Sequence, residues 1–379
     1  MTYKISKITL WPIALMLKAP FRTAHNTTQE RPLTIIAIDV QDMSSRITVT
    51  GYGEVQSFAD CAYAPENQQL SRHLLAHHFI PALKAYQFSD IKAVTSYLQQ
   101  ITPFGSFARA GIEMALWDAL GKLQHKSLAQ MIGGIHQRVP VGIAISLLSE
   151  PSQLLTQIKQ AHAMGYERIK LKVDAKATDF DQIKWLLARF KTQHFSLDAN
   201  SSFTLTSAQS LSPLDAPNLD FIEQPFGVHD FVQHATFQRM SNIKLSLDES
   251  INALDDIHTS IALSANHVLT IKQGKIGGIQ TAIEAIRLAQ QHHVLPWIGG
   301  MLSSGLGRAV DLALASLPGI AFPGDISDSQ RYFEQDIIHQ RLTIHHGHIK
   351  VPTEYGIGVT IDEAIIKQHL TATPQVFTS

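Results

Sequence analysis

The chain of 379 residues has a single cysteine, almost no net charge and no long uninterrupted apolar run. Its one cysteine, Cys61, excludes an internal disulfide and fits a reducing compartment. The formal net charge of −1 gives no basic footprint for nucleic acid and no polybasic signal for a membrane surface. No run reaches about 18 uncharged apolar residues, so no transmembrane helix is expected.

The N-terminal stretch is apolar, but it does not have the pattern of a secretory signal. Lys7, Pro12 and Lys18 interrupt it, and it has no small-residue cleavage site. We therefore expect a cytoplasmic protein that acts on a small molecule. The sequence is compatible with a homo-oligomer. Apolar residues make up 45% of the chain, and its length suggests about two domains or one barrel with an attachment.

The N-terminal third predicts an α+β domain, because strand patterns come first and helical patterns follow. The strands are predicted from β-branched apolar runs, and the helices from apolar residues at spacings of three and four. We predict strands at 3–19 and 33–55, loops at Pro20–Thr28 and Gln56–Pro65, and helices at Glu66–Gln100, with a break near Pro81, and at Phe104–Leu120.

After Gly134, short apolar runs alternate with helical segments. This alternation predicts a (β/α)₈ barrel. A doubly wound open sheet is the alternative, but eight runs and the lack of a Gly-rich first turn disfavour it. The runs are Val139–Ser146, Ile169–Asp174, Phe195–Asn200, Leu219–Pro225, Lys244–Ser250, Val268–Gln273, Val294–Gly300 and Ile320–Asp325. The clearest helices are Asp179–Phe190, Asp230–Met240, Asp255–Ser264, Ile279–His293 and Leu306–Leu317.

These patterns divide the chain into two domains. We place a capping domain at residues 1–130 and the barrel at residues 131–334. Part of the tail, about 335–379, is expected to join the capping domain, since its stretches 340–345 and 348–352 are strand-like.

Charged residues close the predicted strands two to six of the barrel. Asp198, Glu223 and Asp248 end strands three, four and five, at intervals of 25 residues. In such a barrel the carboxyl ends of the strands form the active-site face. Three converging carboxylates would repel one another without a cation. An all-oxygen set suits Mg²⁺ or Mn²⁺ better than Zn²⁺, so we predict one divalent metal there.

Lysines flank the predicted metal site on both sides. Lys170 and Lys172 are two residues apart on strand two, so their side chains share the interior face. Two lysines inside a barrel are costly unless they are paired or functional. Lys272 ends strand six, across the ring from Lys172. This arrangement suits removal of a proton from the carbon next to a carboxylate, with the metal and an ammonium holding the enediolate.

This set of residues resembles the enolase superfamily, in its muconate-lactonizing-enzyme subgroup, for which Lys or His bases with Mg²⁺ are characteristic. The resemblance covers the whole chain, including Gly51-Tyr-Gly-Glu54 in the cap. Within the subgroup, the chain is most similar to the o-succinylbenzoate synthases that overlap with N-succinylamino acid racemases. That likeness rests on residues 20–23, 299–309, 313–319, 323–327, 329–332 and 356–359.

The resemblance implies dehydration of 2-succinyl-6-hydroxy-2,4-cyclohexadiene-1-carboxylate to o-succinylbenzoate, a step of menaquinone synthesis. Lys172 would be the base and then the acid, Lys272 would stabilise the enediolate, and Lys170 would tune Lys172. The other residues that it implies are Asp198, Glu223 and Asp248 for Mg²⁺, Asn200 and Glu249 as their support, and Phe21, Phe58, Tyr63, Met301 and Tyr332 for the substrate pocket.

One departure from the relatives bears on the choice between synthase and racemase. After the lysine of strand six the relatives usually read Pro-Gly-Arg-Val-Gly-Gly, whereas this chain reads Gln273-Gly-Lys275-Ile-Gly-Gly278. The arginine is associated with racemase activity, and lysine does not replace arginine in how it binds. We therefore favour the synthase. Strand seven ends at Trp297-Ile-Gly-Gly300, without the histidine of mandelate racemases.

Two other classes of protein remain as alternatives. A Schiff-base aldolase would use Lys172 or Lys272 in a metal-free barrel, but the three carboxylates argue against it. A non-catalytic barrel predicts the loss of at least one of the five lysine and carboxylate positions at the strand ends, and none is lost.

We also expect the loops Thr23–Gln29 and Ser57–Ala64 to cover the barrel mouth and exclude water.

Overall fold

The computed structural model describes residues 2–23, 27–146 and 151–378. An antiparallel sheet with its helices forms a cap on a curled parallel sheet that is surrounded by helices. One hydrophobic cluster runs through both parts without interruption. The α/β class, with a barrel-type domain and an α+β cap, is confirmed.

The cap is built on a long antiparallel meander. Its strands are β1 (Tyr3–Arg22), β2 (Thr27–Asp42) and β3 (Thr48–Val55), each paired with the next. The predicted loop at residues 20–28 is wrong in part, because Phe21 pairs with Thr28 and Arg22 with Thr27. Aromatic and β-branched side chains favour this extension of the strands. Residues 24–26 of that loop lie outside the described part of the chain.

The helices of the cap follow the meander. The predicted break near Pro81 comes two residues later, after Leu83, because a π-helical turn at Leu75–Phe79 joins two helices continuously. Pro81 directly follows this π-helical turn, and because it has no N–H it cannot donate to a carbonyl of the preceding turn. The elements are α1 (Gln68–Leu74), α2 (Ile80–Leu83), β4 (Gln87–Phe88), α3 (Ile91–Ile101), α4 (Ser106–Gln124) and α5 (Leu128–Ile132).

Helix α4 packs closely against β3 and is buried on almost every side. Two glycines of β3 make this approach possible. A Cβ on Gly53 would lie 2.0 Å from the carbonyl oxygen of Gly111, and one on Gly51 would lie 2.0 Å from that of Ala115. The small residues of α4 and β3 therefore fit each other, and Glu54 on the same strand is directed toward the barrel, where it bonds Ser304.

The described residues of the barrel domain form seven parallel strands, each hydrogen-bonded to its neighbours in chain order. The strands are almost entirely buried, as expected when helices cover a parallel sheet. Around them lie α6 (Pro151–Ala163), α7 (Phe180–Arg189), a 3₁₀ helix (Ser207–Leu214), α8 (Phe231–Met240), α9 (Leu254–Ala262), α10 (Ile279–Gln291) and α11 (Gly305–Ala315). The strands, which follow the short β5 (Arg138–Pro140), are β6 (Gly142–Ile145), β7 (Arg168–Lys172), β8 (His194–Asp198), β9 (Leu219–Glu223), β10 (Leu245–Leu247), β11 (Val268–Ile271) and β12 (Leu295–Ile298).

The predicted eighth strand, Ile320–Asp325, is wrong. The segment forms no regular strand, but its backbone still bridges the two edges of the sheet. The N–H of Asp325 donates to the carbonyl of Ile298 on β12 (3.0 Å), and Gly142 on β6 donates to Gly324 (2.7 Å). The proline within the segment has no N–H to donate, which prevents a full ladder. The predicted first strand also divides into β5 and β6.

The tail contributes to two sheets. Strands β13 (Ile344–His345) and β14 (His348–Lys350) form a hairpin that pairs with β5, so the prediction that these stretches return to the N-terminal domain is wrong. After α12 (Glu363–Gln368), β15 (Gln375–Thr378) does pair with β1. In the described ranges, no helix is long and apolar enough to cross a membrane.

Candidate active site

The charged residues predicted for the site meet at the carboxyl ends of five neighbouring strands. The register places Lys172 beside Asp198 and Asp198 beside Glu223, on β7, β8 and β9. Asp248 directly follows β10 and Lys272 directly follows β11. Buried apolar residues fix the register of these strands, so the polar ends are held side by side.

Lys170 lies at the centre of the cluster and is 4% exposed. Its Nζ contacts Asp198 Oδ2 at 3.0 Å, Glu223 Oε2 at 2.9 Å and Asp325 Oδ2 at 2.6 Å. Burial disfavours the ammonium, but these three carboxylates outweigh burial and hold the pKa of Lys170 well above its ordinary value. Asp325 was not predicted as a site residue, and it also accepts from Arg168 at 2.8 Å.

Lys172 is joined to Lys170 through a shared carboxylate. Its Nζ lies 2.6 Å from Asp198 Oδ2 and 2.9 Å from Asn200 Oδ1, and Asn200 in turn donates to Glu249 Oε1 at 2.8 Å. Burial alone would raise the pKa of Asp198, but the ammoniums of Lys172 and Lys170 hold it below its usual range. The geometry therefore gives Lys172 fixed partners that set the position of its amine.

Lys272 is held jointly by the barrel and the cap. Its Nζ donates to Asp248 Oδ2 (2.6 Å) and to the hydroxyl of Tyr63 (2.9 Å), and that hydroxyl donates to Asp248 Oδ1 (2.8 Å). Burial opposes the ammonium, but Asp248 and the neighbouring glutamates raise the pKa of Lys272 above its ordinary value. The same ammonium outweighs burial at Asp248, whose pKa falls to about 2.

The three predicted metal ligands, Asp198, Glu223 and Asp248, are buried, and in the structure they face lysine ammoniums. Across the described residues, no group of three His, Cys, Asp or Glu side chains has the arrangement of a metal site. The donor chemistry nevertheless fits Mg²⁺, because all donors are carboxylate oxygens at adjacent strand ends. Burial and the charge of Asp198 raise the pKa of Glu223 to about 8, so added positive charge would favour its ionised form.

Gln224 and Lys275 hold the loop that carries Asp248, and neither was predicted to do so. The side-chain oxygen of Gln224 accepts from the N–H groups of Asp248 (3.0 Å) and Ser250 (3.2 Å), and its amide donates to Ser250 Oγ (2.7 Å). Lys275 is fully buried and donates to the carbonyl of Asp248. Burial lowers the pKa of Lys275 to about 8.

A cavity of about 340 Å³ opens above these residues, within the size range of sites for small molecules. Lys170, Lys172 and Lys272 line it. Two aromatic pairs form its walls, with ring centroids 5.6 Å and 6.1 Å apart. The structure brings all five predicted pocket residues to this cavity, namely Phe21, Phe58, Tyr63, Met301 and Tyr332.

Three further charged residues line the cavity, and sequence reasoning did not assign them a role. They are Arg308 and Asp311 on α11, together with Asp325. Burial raises the pKa of Asp311 to about 8. The available signal was the presence of two charged residues in an otherwise small and apolar helix that follows strand seven at the active-site face.

Comparison with known families supports the fold that the structure shows. Residues 153–365 match the family described as enolase C-terminal domain-like, and residues 6–133 match the mandelate racemase/muconate lactonizing enzyme N-terminal domain. The chain belongs to the enolase superfamily. This enolase-superfamily chain is an enzyme of the mandelate racemase/muconate lactonizing branch, and superfamily members generally depend on a divalent metal.

Individual relatives cover nearly the full length of this superfamily member. It is 36% identical over 369 residues to an o-succinylbenzoate synthase from Bacillus subtilis (strain 168), covering 97% of each chain. It is 32% identical to an N-succinylamino acid racemase from an Amycolatopsis species, covering 97% and 98%. Among solved structures, an enolase-superfamily member from Listeria innocua aligns with a TM-score of 0.93 at 31% identity, over 99% of each chain.

Proposed function

We propose that this enzyme is a Mg²⁺-dependent o-succinylbenzoate synthase, which dehydrates 2-succinyl-6-hydroxy-2,4-cyclohexadiene-1-carboxylate in menaquinone synthesis. One observation carries the proposal. Lys172 and Lys272, from β7 and from the end of β11, line the same cavity above three buried carboxylates. The 36% identity to a relative with this activity, over 97% of both chains, supports the choice of substrate.

Asp198, Glu223 and Asp248 would hold Mg²⁺, or Mn²⁺, at the base of the cavity. When bound, the ion supplies positive charge that stabilises negative charge on the substrate carboxylate. Asn200 and Glu249 support this set through their mutual hydrogen bond and the contact of Asn200 with Lys172. Their buried polar side chains keep the base and the acids in a fixed relation.

Lys172, in its neutral form, accepts the proton from the carbon next to the carboxylate. The electron pair of that C–H bond becomes a ring double bond, the bond to the ring hydroxyl breaks, and Lys172 returns the proton so that water leaves. The ammonium of Lys272, fixed by Asp248 and Tyr63, stabilises the charge that develops on the carboxylate. Lys170 tunes Lys172 through Asp198, which contacts both amines.

The aromatic walls would position the ring and the succinyl arm. Phe21 and Tyr332 form one edge-to-face pair, and Phe58 and Tyr63 form the other. Met301 adds a flexible apolar side chain to the same cavity. Apolar walls around the lysines limit the access of water, which strengthens the electrostatic interactions inside.

N-succinylamino acid racemase is the second candidate function. Two lysines that line one cavity could serve as the two proton carriers of a racemase, and a racemase relative is 32% identical. Lys275 in place of the usual arginine favours the synthase. Its amine is directed to the carbonyl of Asp248, and it is not among the residues that line the cavity.

The test is a direct assay of both reactions. Purified protein with Mg²⁺ and the cyclohexadiene substrate is expected to show aromatisation in the ultraviolet, while N-succinyl amino acids are followed by optical rotation. Lys172→Ala is expected to abolish aromatisation. Lys176→Ala, at an exposed lysine of the next loop, is the matched control and is expected to keep it.

Robust turnover by Lys172→Ala would refute the assignment of the base. Racemisation without aromatisation would replace the synthase by the racemase. A covalent adduct trapped by borohydride and substrate would instead indicate a Schiff-base enzyme.

A further inference from the structure

Arg308, in the first turn of α11, is a buried cation with few partners. Its side chain is 3% exposed, and one N–H group donates to the carbonyl of Ser327 at 2.6 Å. Its Nε is buried without a hydrogen-bond partner. None of the ion pairs within residues 2–23, 27–146 and 151–378 includes Arg308. A buried guanidinium in this situation is costly unless an anion joins it.

The guanidinium lies on the wall of the cavity that also carries the proposed base. Its Cζ is 5.0 Å from the ring centroid of Tyr332, which packs edge-to-face on Phe21 at 6.1 Å. The Phe21 ring in turn lies 5.9 Å from Lys172 Nζ. All four side chains line the cavity. The rings of Phe21 and Tyr332 therefore lie between Lys172, the cation at the reacting end of a ligand, and Arg308, a second cation.

The carboxyl of Asp311, one turn further along α11, does not supply the missing anion. In the described part of the chain, no salt bridge within 4.0 Å joins it to Arg308. Burial raises the pKa of Asp311 to about 8 although the charge of Arg308 acts to lower it, so burial favours the neutral form of this carboxyl. Among the described residues, Arg308 therefore has no carboxylate in salt-bridge contact on its side of the cavity.

We infer that Arg308 binds the second, distal carboxylate of a dicarboxylate substrate while the lysines hold the reacting end. The planar fork of guanidinium donors matches the two oxygens of a carboxylate, which a point charge does not. The inference deepens the proposed function and rests on it, since the succinyl arm supplies that carboxylate. It makes Arg308 a specificity-determining residue that selects succinyl compounds over substrates with an uncharged acyl arm.

The test compares two ligands that differ in the distal carboxylate alone. Binding of o-succinylbenzoate and of 2-butyrylbenzoate is measured by calorimetry with Mg²⁺ present, for the wild-type protein and for Arg308→Met. The variant is expected to lose about 30-fold or more in affinity for the succinyl ligand, because a buried charge pair loses one member. Its affinity for the butyryl ligand is expected to stay unchanged, which also reports that the cavity is folded.

Arg331→Met is the matched control. Arg331 packs on the same ring of Tyr332, at 5.7 Å, but it is exposed and donates to the carbonyl of Ala144. The control is expected to bind both ligands like the wild type. Arg308→Lys, which keeps the charge but loses the fork, is expected to recover part of the lost affinity.

Equal loss of both ligands in Arg308→Met, or no preference of the wild type for the succinyl ligand, would overturn the inference. Failure of the proposed function looks different. In that case the succinyl ligand binds in an Arg308-dependent manner while the cyclohexadiene substrate is not aromatised. If aromatisation proceeds and Arg308→Met leaves the KM unchanged, the inference alone is overturned.

Discussion

Glu113 makes the stability of this enzyme depend on pH, through a carboxyl buried between the cap and the barrel. The side chain extends from α4, and its Oε2 accepts from the hydroxyl of Thr95 at 2.6 Å. Its Oε1 accepts from the N–H of Gln280, in the first turn of α10, at 2.6 Å and from Trp117 Nε1 at 3.3 Å. Burial outweighs these bonds and raises the pKa of Glu113 to about 7.

The raised pKa sets both the sign and the size of the effect. The ordinary pKa is 4.5, so as pH rises the unfolded chain loses this proton before the folded protein does. The contribution of Glu113 to the free energy of unfolding therefore falls between about pH 4.5 and pH 7, and it stays constant above about pH 7. The difference between about 7 and 4.5, at ~1.36 kcal/mol per pH unit, corresponds to about 3 kcal/mol.

Glu113→Gln removes the titration and keeps most of the hydrogen bonds. The glutamine oxygen can accept from Gln280 and Trp117, while its amide can donate to the Thr95 hydroxyl. We expect the stability of the variant, relative to the wild type, to increase by about 3 kcal/mol between pH 4.5 and pH 8. Urea unfolding followed by tryptophan fluorescence at both pH values measures the change.

Glu334→Gln, at a side chain that is 79% exposed, controls for the loss of a carboxyl as such. The reasoning is refuted if the stability difference between Glu113→Gln and the wild type is the same at both pH values. If the stability of Glu113→Gln relative to the wild type decreases as pH rises, the sign is wrong and Glu113 is stabilised as a carboxylate.

Three further predictions concern the metal and the loops around it. EDTA is expected to abolish aromatisation and added Mg²⁺ to restore it, in the ultraviolet assay. Gln224→Ala removes the bonds that hold the Asp248 loop, so Mg²⁺ titration of activity is expected to show about 10- to 100-fold weaker binding. Gly278→Ala places a Cβ 2.6 Å from the Glu113 carboxyl at φ +132°, and its urea midpoint is expected to fall further than that of Gly133→Ala, which has φ +88° and nothing within 4 Å.

Much of the fold could be predicted because periodicity reports directly on which side of an element is buried. The alternation after Gly134 was sufficient to predict the barrel class and the helices around it. The eighth strand could not be distinguished in this way. The run Ile320–Asp325 is apolar like the others, but two isolated backbone bonds to β12 and one from β6 replace a ladder there.

The core of the candidate site follows from the same periodicity, since a residue at a strand end has a defined place on the barrel rim. The remaining contacts depend on tertiary packing. Tyr63 reaches Lys272 across 209 residues of sequence, and Asp325 reaches Lys170 from an irregular segment. Arg308 sits in a helix whose pattern indicates only burial. No local pattern in the sequence encodes these long-range pairs.

The pairing of β15 with β1 has a consequence for how the chain is made. Residues Lys7–Leu10 of β1 find their partner only at Gln375–Thr378. At a translation rate of ~5–20 residues per second, this edge of β1 stays unpaired for about 20 to 70 s while the barrel is synthesised. An unpaired strand edge can recruit another chain. Nascent chains are thus exposed to mispairing at this edge until the last strand emerges, and slower translation lengthens that exposure.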